Sequence, residues 1–252
     1  MTNSKTIDIN CDLGESTNPS QWQLDAALMP YISSCNVACG GHAGNPESIR
    51  VTIANAIQHQ LKIGAHPSYP DKDNFGRVSM KLSEQSLRQT LQDQIQSMAE
   101  ECQRQNAQLH HVKPHGALYN DAAANKKLAY IIAEEVKRFD SNLKLIGLAQ
   151  SNMYQAAEEL GLPFLHEGFM DRNYHANTHL VPRGHTLALH RTLEQSLDQA
   201  LTLAKGLPIT SIEGTALELK VDTICLHGDN PSAQDIAKQL YQLLQKNNIS
   251  IA

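Results

Sequence analysis

No stretch of the 252-residue sequence is long and apolar enough to cross a membrane as a helix. Met1 to Lys5 is polar with no apolar segment behind it, which leads us to expect a cytoplasmic protein and no membrane partner. Excess positive charge is also missing. Lys and Arg total 21 against 26 Asp and Glu, a net charge of -5, and the pI is near 6.2. That balance argues against nucleic acid as a partner. Paired cysteines are lacking too. Cys11, Cys35, Cys39, Cys102 and Cys225 are an odd number without paired spacing, and read as reduced, buried thiols. Cys35 and Cys39 have no second pair to complete a tetrahedral zinc site. Neither a G-x-G-x-x-G dinucleotide fingerprint nor a Walker A loop is present.

What is there is an ordinary globular composition, 41% hydrophobic and 19% charged, with 12 histidines, many at the ends of expected strands. Thr6 to Asp12 alternates polar and apolar residues like a strand. Ser33 to Cys39 reads as a second strand, and Gly40-Gly41-His42-Ala43-Gly44 turns it into a helix capped by Asn45, with Pro46 at the first helical position. Glycines there let backbone approach a small ligand, and N–H groups at a helix start favour an anion. Further strands are expected at Lys62 to His66, His110 to Lys113, Leu143 to Leu148, Phe164 to Glu167 and Asp222 to His227. Helices are expected from Pro46 to about Leu61 and from the Ser83 cap, with Leu87, Leu91, Ile95, Met98 and Cys102 on one face. Leu128, Ile131, Ile132 and Val136 mark another, and Tyr154 to Leu160 a short one stopped by Gly161. Leu193, Leu197 and Leu201 form the next, and a helix capped by Asn230-Pro231 finishes the chain. The polar stretch Asn173 to His190 is longer than a connector needs to be.

Seven βα repeats imply a parallel sheet with right-handed crossovers. Acidic, basic and histidine residues collect just after the strands: Asp12 and Glu15, His42, His66, Lys113 and His115, Glu167 with Asp171 and Arg172, and His227 with Asp229. A barrel gathers chemistry at the C-terminal ends of its strands, whereas an unrelated surface would scatter it over helix faces. We therefore expect one seven-stranded (β/α) barrel domain over residues 1–252 with a single polar mouth. Asp12, His42, His66 and His115 could gather as a one-carboxylate, three-histidine site for a divalent ion.

The segments Asn10-Cys11-Asp12-Leu13-Gly14-Glu15, Cys35 to Gly44, Gly64 to Asp71, Val112 to Asn120 and Cys225 to Asp229, in that order, resemble the LamB/YcsF family almost from end to end. Asn45 and Val78 depart from the usual family residues. The resemblance implies an α/β barrel of the glycoside hydrolase/deacetylase type. It also implies ATP-dependent opening of 5-oxo-L-proline to L-glutamate, with ATP as co-substrate and with 5-oxoprolinase subunits B and C as partners. A γ-lactam amide keeps its resonance, and phosphorylating its oxygen would remove that obstacle to water. The site then needs a base, donors for an oxyanion and a cation for the substrate carboxylate. The candidates for chemistry are Asp12, His42, His66, His115 and Lys113. For substrate binding they are Asn10, Glu15, Gly40, Gly41, Arg77, Asp171, Arg183, His227 and Asp229. Two other readings remain open: a stand-alone metal-dependent deacetylase or amidohydrolase acting on a sugar or cyclic amide, and a non-catalytic subunit that holds substrate for its partners.

Overall fold

The first strand carries polar residues at every second position, and those residues point into the fold. The computed structural model describes residues 5–228 and 232–252. Its strands are β1 (Lys5–Leu13), β2 (Ser34–Ala38), β3 (Lys62–His66), β4 (Leu109–Val112), β5 (Lys144–Leu148), β6 (Phe164–Phe169), β7 (Ile209–Thr210), β8 (Ala216–Leu217), β9 (Thr223–Leu226) and β10 (Ile249–Ile251). Seven of them close a parallel barrel in the order β1-β2-β3-β4-β5-β6-β9, with β9 returning to β1. The helices are α1 (Pro19–Leu28), α2 (Pro46–Gln58), α3 (Glu84–Arg104), α4 (Gly116–Ala124), α5 (Lys126–Phe139), α6 (Asn152–Leu160), α7 (Leu193–Ala204) and α8 (Ala233–Lys246). Among the described residues no helix is long and apolar enough to span a membrane.

On β1, Ile7, Ile9, Cys11 and Leu13 are buried in the apolar layer under the helices, while Asp8, Asn10 and Asp12 bond across the lumen. The lumen is thus largely polar. Thr223 donates to Asp8 Oδ2 (2.6 Å), as Ser34 does (2.7 Å), and Asn10 Nδ2 donates to Thr223 and Glu167. Gly64 on β3 leaves the space that His111 of β4 occupies, since a Cβ there would lie 2.0 Å from His111 Nε2.

The expected elements form, with four differences. Helix α2 begins at the Asn45 cap, where Asn45 and Ser48 bond reciprocally, but it ends at Gln58, before Leu61. Helix α4, which follows His115 directly, has no counterpart in the sequence pattern because its short Ala-rich run lacks a marked apolar stripe. The stretch before β9 makes the hairpin β7–β8. The chain ends in β10, which pairs with Lys5 to Ile7 of β1, and not in helix α8. The Asn230-Pro231 cap and Asp229 lie outside the described residues.

Candidate active site

Three histidines and two carboxylates meet at the C-terminal mouth of the barrel. Asp12 and His66 end β1 and β3, Lys113 and His115 follow β4, and Glu15 and His42 sit on the turns after β1 and β2. His42 and His115 stack with ring centres 3.6 Å apart, and His66 meets both edge-on. Glu15 Oε1 lies 3.1 Å from His42 Nε2 and 3.5 Å from His115 Nδ1. One nitrogen or oxygen each from Glu15, His42, His66 and His115 falls within 4.8 Å of the others. Asp12 touches this group through His66 Nε2 (3.3 Å) and falls in a second group with Cys225 and His227.

The tautomers follow from the partners. His66 Nδ1 lies 2.7 Å from the Lys113 carbonyl and His115 Nε2 lies 2.9 Å from the Phe75 carbonyl. A carbonyl only accepts, so both of those nitrogens carry hydrogen when the rings are neutral. That leaves the lone pairs of His66 Nε2 and His115 Nδ1 facing each other at 2.9 Å, with Glu15 beside them. A cation at that point relieves the opposition, and backbone acceptors behind ligand histidines are the usual supporting arrangement. The donor set fits a divalent metal. Burial, with like charge from His66, pushes His42 and His115 down to about 2.

The backbone that supplies the Phe75 carbonyl is held in an unusual shape. Phe75 and Gly76 are both left-handed, at φ 55° and 61°. A Cβ on Gly76 would meet His42 Cβ at 2.8 Å and His115 Cδ2 at 3.0 Å, so only glycine lets this loop close over the ring pair.

Beside the histidines lies an ion network. Lys113, 2% exposed, places Nζ 2.9 Å from Asp12 Oδ1 and 2.8 Å from Glu167 Oε1. Burial works to lower the Lys113 pKa, but Asp12, Cys225 and Glu167 hold it well above the usual lysine value. Burial likewise works to raise Asp12, and His66 and Lys113 outweigh it and keep the carboxyl well below its usual range. The pair is therefore ionised. Behind it a directed chain runs through the lumen. Lys144 Nζ donates to His110 Nε2 (2.8 Å), the two Nδ1 atoms of His110 and His111 share a hydrogen at 3.0 Å, and His111 Nε2 reaches Asn36 Oδ1 (2.7 Å). Asn36 Nδ2 then donates to Asp12 Oδ1 and Asn10 Oδ1, both at 2.8 Å.

A cavity of about 350 Å³ opens above Asp12, Glu15, His66, Lys113 and His115. Its lining also includes Tyr119, Phe169, Arg172, Arg183 and His227, with Arg77 stacked over the Phe75 ring. His227 bridges Asp171 Oδ2 (2.8 Å) and Arg183 (2.9 Å). Asn10 is fully buried below the cavity, where it accepts from Lys113 and orients it. Gly40 and Gly41 lie off the cavity. The Gly40 N–H bonds the Ala43 carbonyl, so that expected donor is already in use, and Gly41 lies close against Gln94 and Ser68. Sequence reasoning passed over Tyr119, Asn36 and His111 as site residues. Burial, with the Glu167 carboxylate beside it, holds the Tyr119 phenol well above its usual value, so it stays protonated at the cavity wall. His111 stood in the strand that leads to Lys113, and the glycine opposite it was the readable signal.

The fold is a closed seven-stranded (β/α) barrel with a histidine–carboxylate mouth at the C-terminal ends of its strands. Its arrangement matches a family 4 carbohydrate esterase from Streptomyces lividans in fold alone, with a TM-score of 0.50 at 11% identity over 98% of this chain and 92% of that one. The chain belongs to the LamB/YcsF family, whose model matches residues 7–252. It is 40% identical over 247 residues to the A subunit of 5-oxoprolinase from Haemophilus influenzae strain PittEE, covering 98% of this chain and 99% of that one. It is equally identical over 245 residues to the A subunit of 5-oxoprolinase from Pyrococcus abyssi, with 97% and 96% covered. The crystal structure of a lactam utilization protein from Thermus thermophilus superposes with a TM-score of 0.90 at 32% identity, over 98% of both chains.

Proposed function

We propose that the chain is the A subunit of a cytoplasmic, ATP-dependent 5-oxoprolinase that works with subunits B and C to open 5-oxo-L-proline to L-glutamate. The observation that carries this reading is one cavity of small-ligand size. It is floored by an ionised Asp12–Lys113 pair and a metal-fitting histidine cluster, in a chain that aligns end to end with relatives of that name.

Each residue has a role its surroundings support. Asp12, kept ionised by His66 and Lys113, accepts a proton from the attacking water. Lys113, kept charged by Asp12 and Glu167, donates to the oxygen on which negative charge develops. His42, His66, His115 and Glu15 would hold a divalent ion, which supplies Lewis-acid polarisation of a carbonyl or phosphoryl oxygen when bound. Phe169 and Tyr119 shape the wall on which the ring packs. Transfer of the γ-phosphoryl group of ATP to the amide oxygen releases ADP. One water then adds to the activated carbon as the ring C–N bond breaks and the nitrogen takes up a proton, leaving an acyl phosphate. A second water hydrolyses that to L-glutamate and phosphate.

The deciding experiment is glutamate release from 5-oxo-L-proline by the purified chain, with and without ATP and with and without subunits B and C. Glutamate is expected only from the complete mixture. Failure of that mixture with every protein folded overturns the proposal. Lactam or acetamide cleavage by the chain alone, without ATP and abolished by a chelator, would favour the metal-dependent amidohydrolase reading.

A further inference from the structure

Arg172 is 3% exposed and lines the cavity, yet among the described residues it makes no ion pair. Of its donors, Nη2 bonds the Val181 carbonyl at 2.6 Å and Nε is buried with no partner. The neighbouring Asp171 accepts from His227 Nδ1 through Oδ2, and its buried Oδ1 has no hydrogen-bond partner, so it bonds neither guanidinium. The second guanidinium on this wall, Arg183, donates to His227 Nε2 and likewise has no ion-pair partner among the described residues. Two guanidinium groups thus line one cavity, neither of them hydrogen-bonded to a carboxylate among the described residues. A buried guanidinium with an unpaired donor is costly, and proteins keep one mainly where a ligand completes the pairing. Burial, helped by Arg183, holds the Arg172 pKa below the usual arginine value against the opposing pull of Asp171.

The position is built. Gln199 Nε2 donates to the carbonyls of both Phe169 and Arg172 at 2.8 Å, and the Tyr174 hydroxyl accepts from the Phe169 N–H at 2.8 Å. An antiparallel bridge ties Arg172 to Leu189, and the His190 N–H bonds the Asp171 carbonyl. The long polar stretch after β6 therefore clamps the backbone on either side of this one side chain. Asp12, Lys113 and His66 line the same cavity.

We propose that Arg172, with Arg183 at the rim, forms an oxyanion-binding subsite that takes the carboxylate of the lactam substrate. This rests on the 5-oxoprolinase reading of the same cavity. It makes Arg172 the residue that separates carboxylated lactams from neutral ones. A guanidinium fork matches a carboxylate bidentately, and a phosphoryl group offers the same oxygen geometry, so the test separates the two.

The full chain is titrated calorimetrically with 5-oxo-L-proline, with 2-pyrrolidinone (the same ring lacking the carboxylate) and with inorganic phosphate. The wild-type chain is expected to bind 5-oxo-L-proline roughly a hundredfold more tightly than 2-pyrrolidinone. Arg172→Gln should erase most of that preference and leave 2-pyrrolidinone binding unchanged. Without ligand, Arg172→Gln should melt no lower than wild type, and 5-oxo-L-proline should raise the wild-type midpoint only. A folded Arg172→Gln chain that keeps the preference, or that melts lower and still gains the full ligand shift, makes Arg172 a strut for Val181 and overturns the inference. Arg172→Lys, which keeps a charge without the fork, should lose about tenfold on 5-oxo-L-proline alone, and it decides the matter should the glutamine variant not fold. Arg172-dependent binding of phosphate, with unchanged 5-oxo-L-proline binding, would assign the subsite to a phosphoryl group and overturn the carboxylate assignment. If Arg172-dependent carboxylate selection holds while the complete mixture makes no glutamate, the reaction reading falls and the subsite stands. Glutamate formation with selectivity untouched by Arg172→Gln sinks the subsite alone.

Discussion

Lys113 stands between Asp12 and Glu167 at 2.9 and 2.8 Å with almost no access to water. Stripping such ions of hydration costs several kcal/mol each, and their mutual attraction offsets that only while all three are present. Lys113→Met should therefore lower stability by about 3–5 kcal/mol, read from urea midpoints, because two carboxylates would be left facing each other. A variant as stable as wild type would mean the network is dispensable to the fold. The cluster beside it makes a separate prediction. Glu15→Gln and His66→Gln should each reduce bound divalent metal, measured by elemental analysis after dialysis, while circular dichroism stays native. Full metal content in both would remove these residues from the donor set. Which residues were readable at this scale follows from what marks them in a sequence. His42, His66 and His115 stand next to glycine or proline at or after strand ends, and Asp12 ends the alternating run of β1, so their placement was legible. The assignment of Asn10, Gly40 and Gly41 to ligand contact was not, because a motif does not say which member faces the cavity and which supports it from below.

The strands explain how so many polar groups tolerate burial. Each barrel strand sends alternate side chains inward, and the inward set of β1, β2, β4, β6 and β9 is joined by hydrogen bonds almost throughout. The alternation of Thr6 to Asp12 was visible in the sequence. That its polar face turns into the lumen, and not to solvent, depends on barrel closure, which no local pattern encodes. The chain of His110 and His111 gives this arrangement a pH signature. Burial, with Lys144 nearby, lowers His110 from 6.5 to about 4, and burial holds His111 well below 6.5. The unfolded chain therefore binds protons first as pH falls. Stability contributed by the neutral rings is full above about 6.5 and drains away as pH falls, the His110 share being lost by about 4. Melting temperatures measured from pH 7.5 to 4 should fall in this window, and His110→Gln should flatten the slope. An equally steep slope in that variant would place the titration elsewhere. Gly64→Ala tests the same layer sterically: its Cβ would press on His111 Nε2, and a loss of roughly 1–3 kcal/mol is expected from overpacking.

At the scale of the whole molecule the two ends of the barrel do different work. The reactive groups, the cavity and the long segment after β6 all lie at the C-terminal ends of the strands. The opposite end is closed by β10, whose Ile249, Ser250 and Ile251 pair with Lys5, Thr6 and Ile7, just ahead of the residues where β1 meets β9. A three-residue strand after a strongly amphipathic helix carries too little pattern to be seen in advance, and only its partner β1 makes it one. Because β1 is shared by β2, β9 and β10, the end of the chain and its beginning hold each other in place, with Lys62 Nζ also reaching the Ala252 carbonyl at 2.8 Å. Removing residues 249–252 exposes the edge of β1 and unburies Ile249, whose burial alone is worth about 1.5–3 kcal/mol. The truncated chain should melt several degrees lower than the full one. Its affinity for 5-oxo-L-proline, measured well below the melting temperature, should stay within a factor of two, since no residue of the cavity is touched. Loss of affinity in a truncated chain that still shows a native melting transition would mean that strain at the closed end reaches the mouth, and that the barrel does not separate its stabilising face from its reactive one.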